Sequence, residues 1–211
     1  MGSVQMMFDE IGLDDWEVKP SKKWISAARH TRKVTICKDR FFSELDIKRL
    51  AVHEVGVHAI RYTNGDHQPL KIFHFGFPES LSTEEGLAVY FEVATGNMNP
   101  MYFRNYAGRV LAIDCLRRNL DFRDCFSELQ HYGFNDEDSW NLAVRVYRGG
   151  GFVKDHVYLQ GYYMIDDFVK HGGDLRKLFV GKIGIEDLPL IDQLLQEKKI
   201  VEPRYMPPFL R

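Results

Sequence analysis

Hydrophobic and polar positions follow two periodicities along the chain, and each predicts a type of secondary structure. Residues 33–38 alternate apolar and polar side chains, which predicts a short strand, and Trp16 to Val18 is a second strand candidate. Beyond Arg40 the apolar residues recur at steps of three and four positions, which is typical of amphipathic helices. The pattern predicts a mainly α fold with a small β-sheet, of the α+β class.

The first of these helices is predicted to begin after Ser43, because Ser43 and Asp46 have the spacing of a capping box. Asn64 and Gly65 are both common at helix ends and are expected to terminate it. Between these limits the apolar residues recur at helical spacing: Ile47, Leu50, Ala51 and Val55.

The rest of the chain is predicted to be an irregular segment followed by six helices. Residues 64–80 hold two glycines and two prolines around the apolar run 72–77, which predicts irregular structure with a brief strand. The next helix is expected to start at Ser82 or Thr83, and Asn99 is expected to cap the one after it. The six helices are expected to cover residues 83–95, 100–120, 122–132, 136–148, 155–171 and 185–198.

Length and charge limit the classes of protein that fit. With 211 residues, of which 45% are hydrophobic, the chain can bury one substantial core, so residues 1–211 are expected to form a single domain. The formal net charge of -2 gives no overall attraction to nucleic acid or anionic lipid, and no apolar run reaches membrane-spanning length. Neither nucleic acid nor a membrane is therefore an expected partner.

The cysteines favour a reducing compartment. Cys37, Cys115 and Cys125 are odd in number and widely spaced, which fits neither a disulfide framework nor a four-cysteine zinc site. The first residues also lack the basic start and apolar stretch of a signal peptide. Both features predict a cytoplasmic protein.

One basic stretch departs from the nearly neutral total. No acidic residue occurs between Glu17 and Asp39, and Trp24 lies among the basic residues. The simpler interpretation is a solvated face beside a strand, and the other is a surface that attracts an acidic peptide. The basic residues are Lys19, Lys22, Lys23, Arg29, Arg32, Lys33 and Lys38.

The segment from His53 to His58 reads His-Glu-Val-Gly-Val-His, one residue longer than the His-Glu-x-x-His zinc signature. In a regular helix, residues five apart point about 140° away from each other, too far round to share one zinc ion. A π-helical widening of one turn would absorb the extra residue and return His58 to the face of His53. Gly56 lies in that turn, and its lack of a side chain tolerates the distortion.

A third ligand must come from another part of the chain, because a catalytic zinc site has three protein ligands and one open position for water. Glu85 is the preferred candidate, since it lies early in the next predicted helix, from which a carboxylate can reach across to the histidines. Glu84 is the alternative ligand. In a different interpretation Glu85 only caps its own helix together with Ser82.

Glu54 follows the first histidine, a position from which a carboxylate can act as general base toward a water molecule on the metal. Zinc lowers the pKa of such a water to about 7, so a nearby carboxylate suffices as base. Hydrolysis of an amide bond is the reaction that this arrangement predicts. The alternative is that His53 and His58 are ordinary surface or capping histidines, which their place in an apolar, capped helix disfavours.

These segments resemble the microtubule-associated tyrosine carboxypeptidase family and its bacterial relatives, which are named for a Gln-Glu-Gly-Leu-Ala motif. His53 to Gly65 is similar to the family's metal-binding helix, and Thr83 to Tyr90 is similar to its third-ligand block, with Glu84 in place of the glutamine. Further similar segments extend the resemblance to nearly the whole chain: residues 68–70, 145–150, 152–161, 180–184 and 203–210.

The resemblance implies a zinc metallocarboxypeptidase with His53, His58 and Glu85 as metal ligands and Glu54 as general base. It also implies a zincin-like metallopeptidase fold that holds the metal between two helices. The eukaryotic members act on the tyrosine at the end of α-tubulin, so the implied partner is an acidic, tubulin-like carboxyl-terminal tail. The family's catalytic domain extends further towards the amino terminus, which implies that this chain is a minimal version of that domain.

A carboxypeptidase must also bind the terminal carboxylate of its substrate, and a fixed arginine or lysine near the metal does so best. Arg145, Arg148 and Lys154 are the candidates, with a charged helix end and a glycine-rich turn as the alternative interpretation. Tyr158 is the candidate donor to the developing oxyanion, with simple packing as its alternative.

Two other functions fit the same residues. An aminopeptidase or dipeptidyl peptidase is one alternative, because a lengthened histidine motif also occurs in dipeptidyl peptidase III. The other is a metal-stabilised module that binds a carboxyl-terminal tail without cutting it. Zinc is the predicted ion, and the general order of metal affinities leaves cobalt and copper as alternatives in vitro.

Overall fold

The structure, a computed structural model, describes residues 2–22, 26–28, 31–148 and 154–210, with only the backbone described at 26–28. The chain forms two units, one of Met1–Met98 with Gly161–Arg211 and the other of Asn99–Gln160. The single domain expected over residues 1–211 stays a prediction. Lys23, Trp24 and Arg29 of the basic stretch lie outside the described residues.

The described residues are mainly helical with a small sheet, so the predicted α+β class is confirmed. The strands are β1 (Glu17–Ser21), β2 (Ser26–Ala28) and β3 (Lys33–Cys37). The helices are α1 (Gly2–Ile11), α2 (Glu44–Leu50), a π-helical segment (Ala51–Ala59), α3 (Ile60–His67), α4 (Ile72–Phe75), α5 (Ser80–Ala94), α6 (Pro100–Arg117), α7 (Phe122–His131), α8 (Asp136–Tyr147), α9 (Val157–Lys170) and α10 (Leu188–Gln196). Short 3₁₀ turns cover Leu175–Phe179, Ile185–Asp187 and Pro208–Leu210.

The sheet has the strand order β1-β3-β2, with β1 parallel and β2 antiparallel to the central strand β3. Val34 and Ile36 of β3 are buried and alternate with half-buried neighbours, as the alternating pattern requires. The strand predicted at residues 33–38 is therefore confirmed. The candidate at Trp16 to Val18 corresponds to the start of β1, in which Val18 pairs with Val34.

Helix α1 was not predicted, although Val4, Phe8 and Ile11 have helical spacing and are buried. Phe8 stacks on Trp16 with ring centroids 5.7 Å apart, and Trp16 Nε1 donates a 2.9 Å hydrogen bond to Thr63 Oγ1. The buried face of α1 thereby joins the main hydrophobic core of the first unit. A helix this short depends on such packing for its stability, and the local sequence does not reveal the partner.

Helix α2, the π-helical segment and α3 form one continuous helix over residues 44–67, here called the histidine helix. The predicted capping box is present: Ser43 Oγ accepts from the Asp46 N–H at 3.1 Å, and Asp46 Oδ2 accepts from the Ser43 N–H at 2.9 Å. The helix ends at His67, so the predicted end at Asn64 and Gly65 is wrong.

Asn64 and Gly65 make tertiary contacts instead of ending the helix. A Cβ on Gly65 would lie 2.8 Å from the backbone carbon of Phe73, so this close approach requires glycine. Asn64 Nδ2 donates hydrogen bonds to the backbone oxygens of Phe179 at 2.7 Å and Tyr205 at 2.8 Å. Both residues are explained by contacts with distant parts of the chain, and a local sequence pattern does not reveal such contacts.

Arg61, Asn64 and Gln68 form a polar stripe along one face of the histidine helix and its carboxyl end. All three side chains are buried and bind backbone atoms of the later chain. Gln68 Nε2 donates to Val180 O at 3.1 Å and Val201 O at 2.8 Å, and Gln68 Oε1 accepts from the Val201 N–H at 2.9 Å. The arginine donates to the backbone oxygens of Leu178, Gly181 and Ile183.

The apolar run at residues 72–77 contains the short helix α4, so the brief strand predicted there is wrong. Phe73 is fully buried, and its backbone oxygen accepts a 2.9 Å hydrogen bond from the Lys182 N–H. The Phe77 N–H donates in turn to Lys182 O at 2.9 Å. Two bonds to one distant residue require a tight turn, which Gly76 permits with a φ of 110°.

Helix α5 begins at Ser80, slightly before the predicted start, and packs against α9 where two glycines meet. A Cβ on Gly86 would lie 2.7 Å from Gly161 Cα, and a Cβ on Gly161 would lie 2.8 Å from Gly86 Cα. The two helix backbones can touch because neither residue has a side chain. Since Gly86 follows Glu85, this contact fixes the part of α5 that carries the predicted ligand.

The second unit is built mainly from α6, α7 and α8, which confirms the helices predicted there. Each begins with a side-chain cap: Asn99, Asp121 and Asn135 accept backbone hydrogen bonds at 2.9, 2.9 and 2.8 Å. Residues 149–153, which include the predicted glycine-rich turn, lie outside the described residues. The unit has its own small core of Ala112, Cys115, Cys125, Leu129, Phe134, Leu142, Ala143 and Val146.

The last two helices occupy the regions where they were predicted, with a 3₁₀ turn in front of α10. All three cysteines are free thiols. In the described part of the chain, no helix has both the length and the apolar character that crossing a bilayer demands.

The Gly86→Ala substitution is expected to lower the free energy of unfolding by about 1–3 kcal/mol, because the new methyl group overlaps the backbone of Gly161. The accompanying gain in helix propensity, about 1 kcal/mol, offsets only part of this loss. Urea unfolding followed by circular dichroism measures the change. Gly2→Ala is the control, since nothing lies within 4 Å of a Cβ at Gly2. Equal stability of Gly86→Ala and wild type would show that the contact between α5 and α9 can widen without lowering the free energy of unfolding.

Candidate metal centre

The two motif histidines lie on a π-helical part of the histidine helix. The widened winding extends over Ala51–Ala59, further than the single turn that was predicted. It returns His58 to the face of His53, so that the two imidazole ring centroids lie 4.8 Å apart. Both side chains are buried. The five-residue spacing therefore presents two imidazoles on one face.

Glu85 faces both histidines from α5. Its Oε2 atom lies 3.5 Å from His53 Nε2 and 3.6 Å from His58 Nε2. One potential ligand atom from each of the three residues lies within 4.8 Å of the other two, and all three residues are buried. The three predicted ligands are thus brought together between the histidine helix and α5.

The start of α5 and the direction of the Glu84 side chain exclude the alternative roles of the two neighbouring glutamates. Helix α5 begins at Ser80 with Glu79 in the N-cap position, so Ser82 lies inside the helix and does not cap it with Glu85. The capping interpretation of Glu85 is therefore wrong. Glu84 turns away from the converging atoms, since its Oε1 lies 2.9 Å from His58 Nδ1, the ring nitrogen opposite Nε2.

Each imidazole is held by a second carboxylate. His53 Nδ1 lies 2.7 Å from Glu92 Oε1, in the same way that His58 Nδ1 binds Glu84. A carboxylate accepts the Nδ1 proton and leaves Nε2 free to coordinate, and such pairs also raise the basicity of a metal-binding histidine. Glu92 was not predicted. Its spacing of seven residues from Glu85, about two helical turns, places both on one face of α5 and could have indicated it.

A cation lies beside each of these carboxylates: Arg49 is half-buried and Lys182 is buried. Arg49 Nη1 is 3.0 Å from Glu92 Oε1, and Lys182 Nζ is 3.7 Å from Glu84 Oε2. Each histidine therefore contacts a carboxylate, and that carboxylate contacts a cation, because buried charges need partners. Neither cation was predicted. Arg49 lies about one helical turn before His53, whereas no local signal connects Lys182 with the site.

The site fits a divalent cation. Glu85 Oε2 is buried and, among the described residues, makes no hydrogen bond, which is unusual for a carboxylate oxygen. If both imidazoles are neutral, the three buried glutamates carry one more charge than Arg49 and Lys182 balance. Glu54 adds a further negative charge beside His53. An ion with two positive charges would neutralise the group.

Without a metal ion, protons on the two imidazoles supply part of the positive charge. Burial lowers the pKa of His53, but contacts with Glu85 and Glu92 outweigh burial and raise it to about 10. Burial also lowers the pKa of His58, and the charges of Glu85 and Glu84 raise it to about 9. Burial raises the pKa of the Glu85 carboxyl, but the two imidazoles hold it well below its usual value. The metal-free site is therefore a set of ion pairs.

Glu54 lies next to His53 on the π-helical segment and is half-buried. It differs in this respect from Glu84 and Glu92, which are 1% and 0% exposed. Water can therefore reach Glu54, whereas the other two carboxylates are enclosed by their imidazole and cation partners.

Comparison with known proteins identifies the relatives of this chain. The family model described as microtubule-associated tyrosine carboxypeptidase matches residues 3–211. The chain belongs to this family. The resemblance noted in the sequence is thereby confirmed.

Two relatives illustrate the extent of the similarity within the family. Microtubule-associated tyrosine carboxypeptidase 1 of Rattus norvegicus is 28% identical over 173 residues, which are 75% of this chain and 35% of the rat protein. The Mus musculus protein of the same name is 30% identical over 148 residues, which are 64% of this chain and 31% of the mouse protein. The chain thus spans about a third of the length of these family members.

The predicted substrate-binding and oxyanion-binding residues lie in the second unit: Arg145, Arg148, Lys154 and Tyr158. Arg145 Nε donates to Asp155 Oδ1 at 2.6 Å, so its guanidinium already has a carboxylate partner. Arg148 and Lys154 are exposed. Their role in binding a substrate carboxylate stays a prediction.

Tyr158 belongs to an aromatic and cationic cluster in the second unit. Its ring stacks on that of Tyr106 with centroids 5.1 Å apart and planes at 6°. The Arg109 guanidinium carbon lies 4.9 Å from the centroid of Tyr106 and 5.1 Å from that of Tyr158. The packing accounts for the ring position, and the oxyanion role of Tyr158 stays a prediction.

The basic stretch is partly neutralised by acids that lie outside it in sequence. Lys19 pairs with Glu17, and Arg32 pairs with both Asp15 and Asp66, the latter at 2.6 Å. These contacts reduce the free positive charge that could attract an acidic peptide. A peptide-binding role for the stretch stays a prediction.

Raising the pH above 6.5 is expected to destabilise the metal-free protein. His53 and His58 have folded-state pKa values of about 10 and about 9, above their ordinary value of 6.5. Their contribution to stability is therefore complete below pH 6.5 and is lost as the pH rises through the folded-state values. Urea unfolding in the presence of a chelator, repeated across this pH range, measures the loss.

Two variants control that experiment. His53→Gln removes one of the shifted groups and is expected to flatten the pH dependence, whereas His171→Gln removes an exposed histidine and should leave it unchanged. The same pH dependence in His53→Gln and wild type would contradict the expectation and assign the effect to other titrating groups.

Proposed function

We propose that this protein is a zinc-dependent carboxypeptidase that removes the last residue of a peptide or protein tail. The observation that carries the proposal is the convergence of His53 Nε2, His58 Nε2 and Glu85 Oε2 on one buried point. Two imidazoles and one carboxylate form the ligand set of known catalytic zinc sites, in which a fourth position stays open. The placement of these ligands between two helices supports a zincin-like arrangement.

Zinc is the proposed ion because imidazole nitrogens suit it and because a dication would balance the charge of the site. Cobalt and copper also bind such ligands in vitro. When bound, the ion would act as a Lewis acid on the scissile carbonyl and lower the pKa of water to about 7. His53, His58 and Glu85 are the residues that would hold it.

Glu54 is the proposed general base. It takes a proton from the attacking water and returns that proton to the leaving amine. Its partial exposure supports this role, because a proton-transferring group must meet both water and substrate. Glu84 and Glu92 instead orient the imidazoles through their Nδ1 atoms. The glutamates of the site therefore divide into one ligand, one base and two positioning residues.

Cleavage at the carboxyl end is proposed from the names of the relatives, which describe microtubule-associated tyrosine carboxypeptidases. By extension, the proposed substrate is an acidic, tubulin-like tail that ends in tyrosine. Arg148 and Lys154 are the preferred receptors for its terminal carboxylate, since Arg145 is already paired with Asp155. Tyr158 is the proposed donor to the developing oxyanion.

Glu54→Gln is expected to lower the rate of hydrolysis by about 10²- to 10⁴-fold, because the amide cannot accept the proton from water. The variant should keep the metal content of the wild type, since Glu54 is not one of the converging ligands. Mass spectrometry of a tyrosine-ended acidic peptide before and after incubation measures cleavage, and elemental analysis of the purified protein measures zinc.

The control for this substitution is Glu44→Gln, an exposed position earlier on the same helix that should retain full activity. Peptides with a blocked carboxyl end should resist cleavage, and peptides with a blocked amino end should not. Cleavage from the amino end would contradict the proposal and indicate an aminopeptidase. If wild type and Glu54→Gln both bind the peptide and neither cleaves it, the result would favour a non-catalytic binding module.

Glu92→Gln is expected to weaken zinc binding by about 10- to 100-fold, because the amide carries no charge to hold the His53 Nδ1 proton. Competition against a coloured chelator measures the affinity. Glu84→Gln should act in the same direction through His58, whereas Glu44→Gln should have no effect. An unchanged zinc affinity in Glu92→Gln would show that Glu92 serves only to neutralise Arg49.

A further inference from the structure

The carboxyl-terminal segment, residues 201–210, runs antiparallel to the histidine helix. Its contacts show the direction. Gln68 binds both backbone groups of Val201, and Asn64 binds both backbone groups of Tyr205, with bonds of 2.8 to 2.9 Å. As the segment advances from 201 to 205, its partner on the helix therefore moves back from 68 to 64, towards the π-helical part.

The segment reaches the π-helical part at Phe209. A Cβ built on Gly56 would lie 2.8 Å from Phe209 Cζ and 2.9 Å from Phe209 Cε1, so the ring occupies the space that a side chain at Gly56 would need. Gly56 lies between the two histidines. The ring thus packs on the bare backbone of the segment that brings the two imidazoles onto one face.

The same ring also contacts the helix that carries the third ligand. Its centroid lies 4.7 Å from that of Phe91, at an interplanar angle of 44°. Phe91 is on α5 between Glu85, a predicted ligand, and Glu92, which binds His53. Phe209 therefore touches both helices of the candidate site, although it is neither a candidate ligand nor a candidate catalytic group.

We infer that Phe209 is a positioning residue for the metal site, an inference that rests on the proposed metal-binding function. π-Helical winding is rare and is retained where surrounding contacts favour it over regular α-helix. Return to regular winding would turn His58 away from His53. The Phe209 ring, wedged between Gly56 and Phe91, opposes this return and holds the spacing between the histidine helix and α5. Removal of the ring therefore loosens the ligand geometry.

Phe209→Ala is expected to weaken zinc affinity by about 10-fold, the lower end of what a supporting residue of a metal site typically contributes. Chelator competition on the full chain measures it, at a temperature where circular dichroism shows an intact fold. The visible spectrum of the Co²⁺-loaded variant should also shift and weaken relative to wild type, because the two imidazoles and the carboxylate that would hold the ion are less firmly positioned. Phe209→Leu, which keeps most of the apolar volume, should lie closer to wild type.

A matched control separates positioning from general stability. Phe168 lies near the carboxyl end of α9 and packs against the same core. Its ring also lies beside Gly173, which follows the helix. Phe168→Ala should lower the unfolding free energy while zinc affinity and the cobalt spectrum stay unchanged. An equal loss of zinc affinity in Phe168→Ala and Phe209→Ala would overturn the inference, because both effects would then reflect stability alone.

A second pair of variants tests the contact with Gly56 directly. Gly56→Ala places a methyl group against the Phe209 ring and should weaken zinc binding, and combining it with Phe209→Ala should restore part of the affinity because the collision is relieved. Additive losses in the double variant, or wild-type affinity in Phe209→Ala, would overturn the inference.

The outcome also distinguishes this inference from the proposed function. A wild-type protein that binds no zinc would overturn both. A wild-type protein that binds zinc but cuts no peptide would overturn the carboxypeptidase proposal alone, since the positioning role of Phe209 is measured by metal affinity and not by activity.

Discussion

The arrangement of the site depends on one constraint: a charge that is removed from water must have a partner. Glu84 and Glu92 are almost completely buried, and an unpaired carboxylate in such a place would cost several kcal/mol. Each is therefore bound both by an imidazole and by a cation, Arg49 at Glu92 and Lys182 at Glu84. These partners come from distant parts of the chain. The polar centre therefore depends on the packing of the helices that carry these partners.

The geometry of the histidine helix follows from the same requirement. Five residues separate His53 and His58, and only the wider π-helical winding lets both Nε2 atoms face Glu85 while both Nδ1 atoms face carboxylates. Helices α1 and α5 pack against this segment in the main core, and the polar stripe ties its continuation to the later chain. An unusual backbone is thus enclosed by ordinary packing, which is the usual condition for keeping it.

Sequence reasoning succeeded where the signals are local. The spacing of the histidines required a widened turn, the capping residues located most helices, and alternation located β3. It failed where the cause lies elsewhere in the chain. Asn64 and Gly65 look like a helix end, yet they serve contacts with Tyr205 and Phe73. The run at 72–77 looks like a strand, yet backbone bonds to Lys182 fold it into α4. Lys182 itself reaches Glu84 across almost half of the chain, a pairing that no local pattern can contain.

The amides of Asn64 and Gln68 each offer one donor and one acceptor to the two backbone groups of a single residue, as a neighbouring β-strand would. At Val201 and Tyr205 these two side chains of the helix therefore bind the last part of the chain through its peptide groups. Val201 could be exchanged for many other residues at little cost, apart from proline, which has no N–H to offer. Asn64 and Gln68 have no such freedom, because aspartate or glutamate would keep the acceptor and lose the donor.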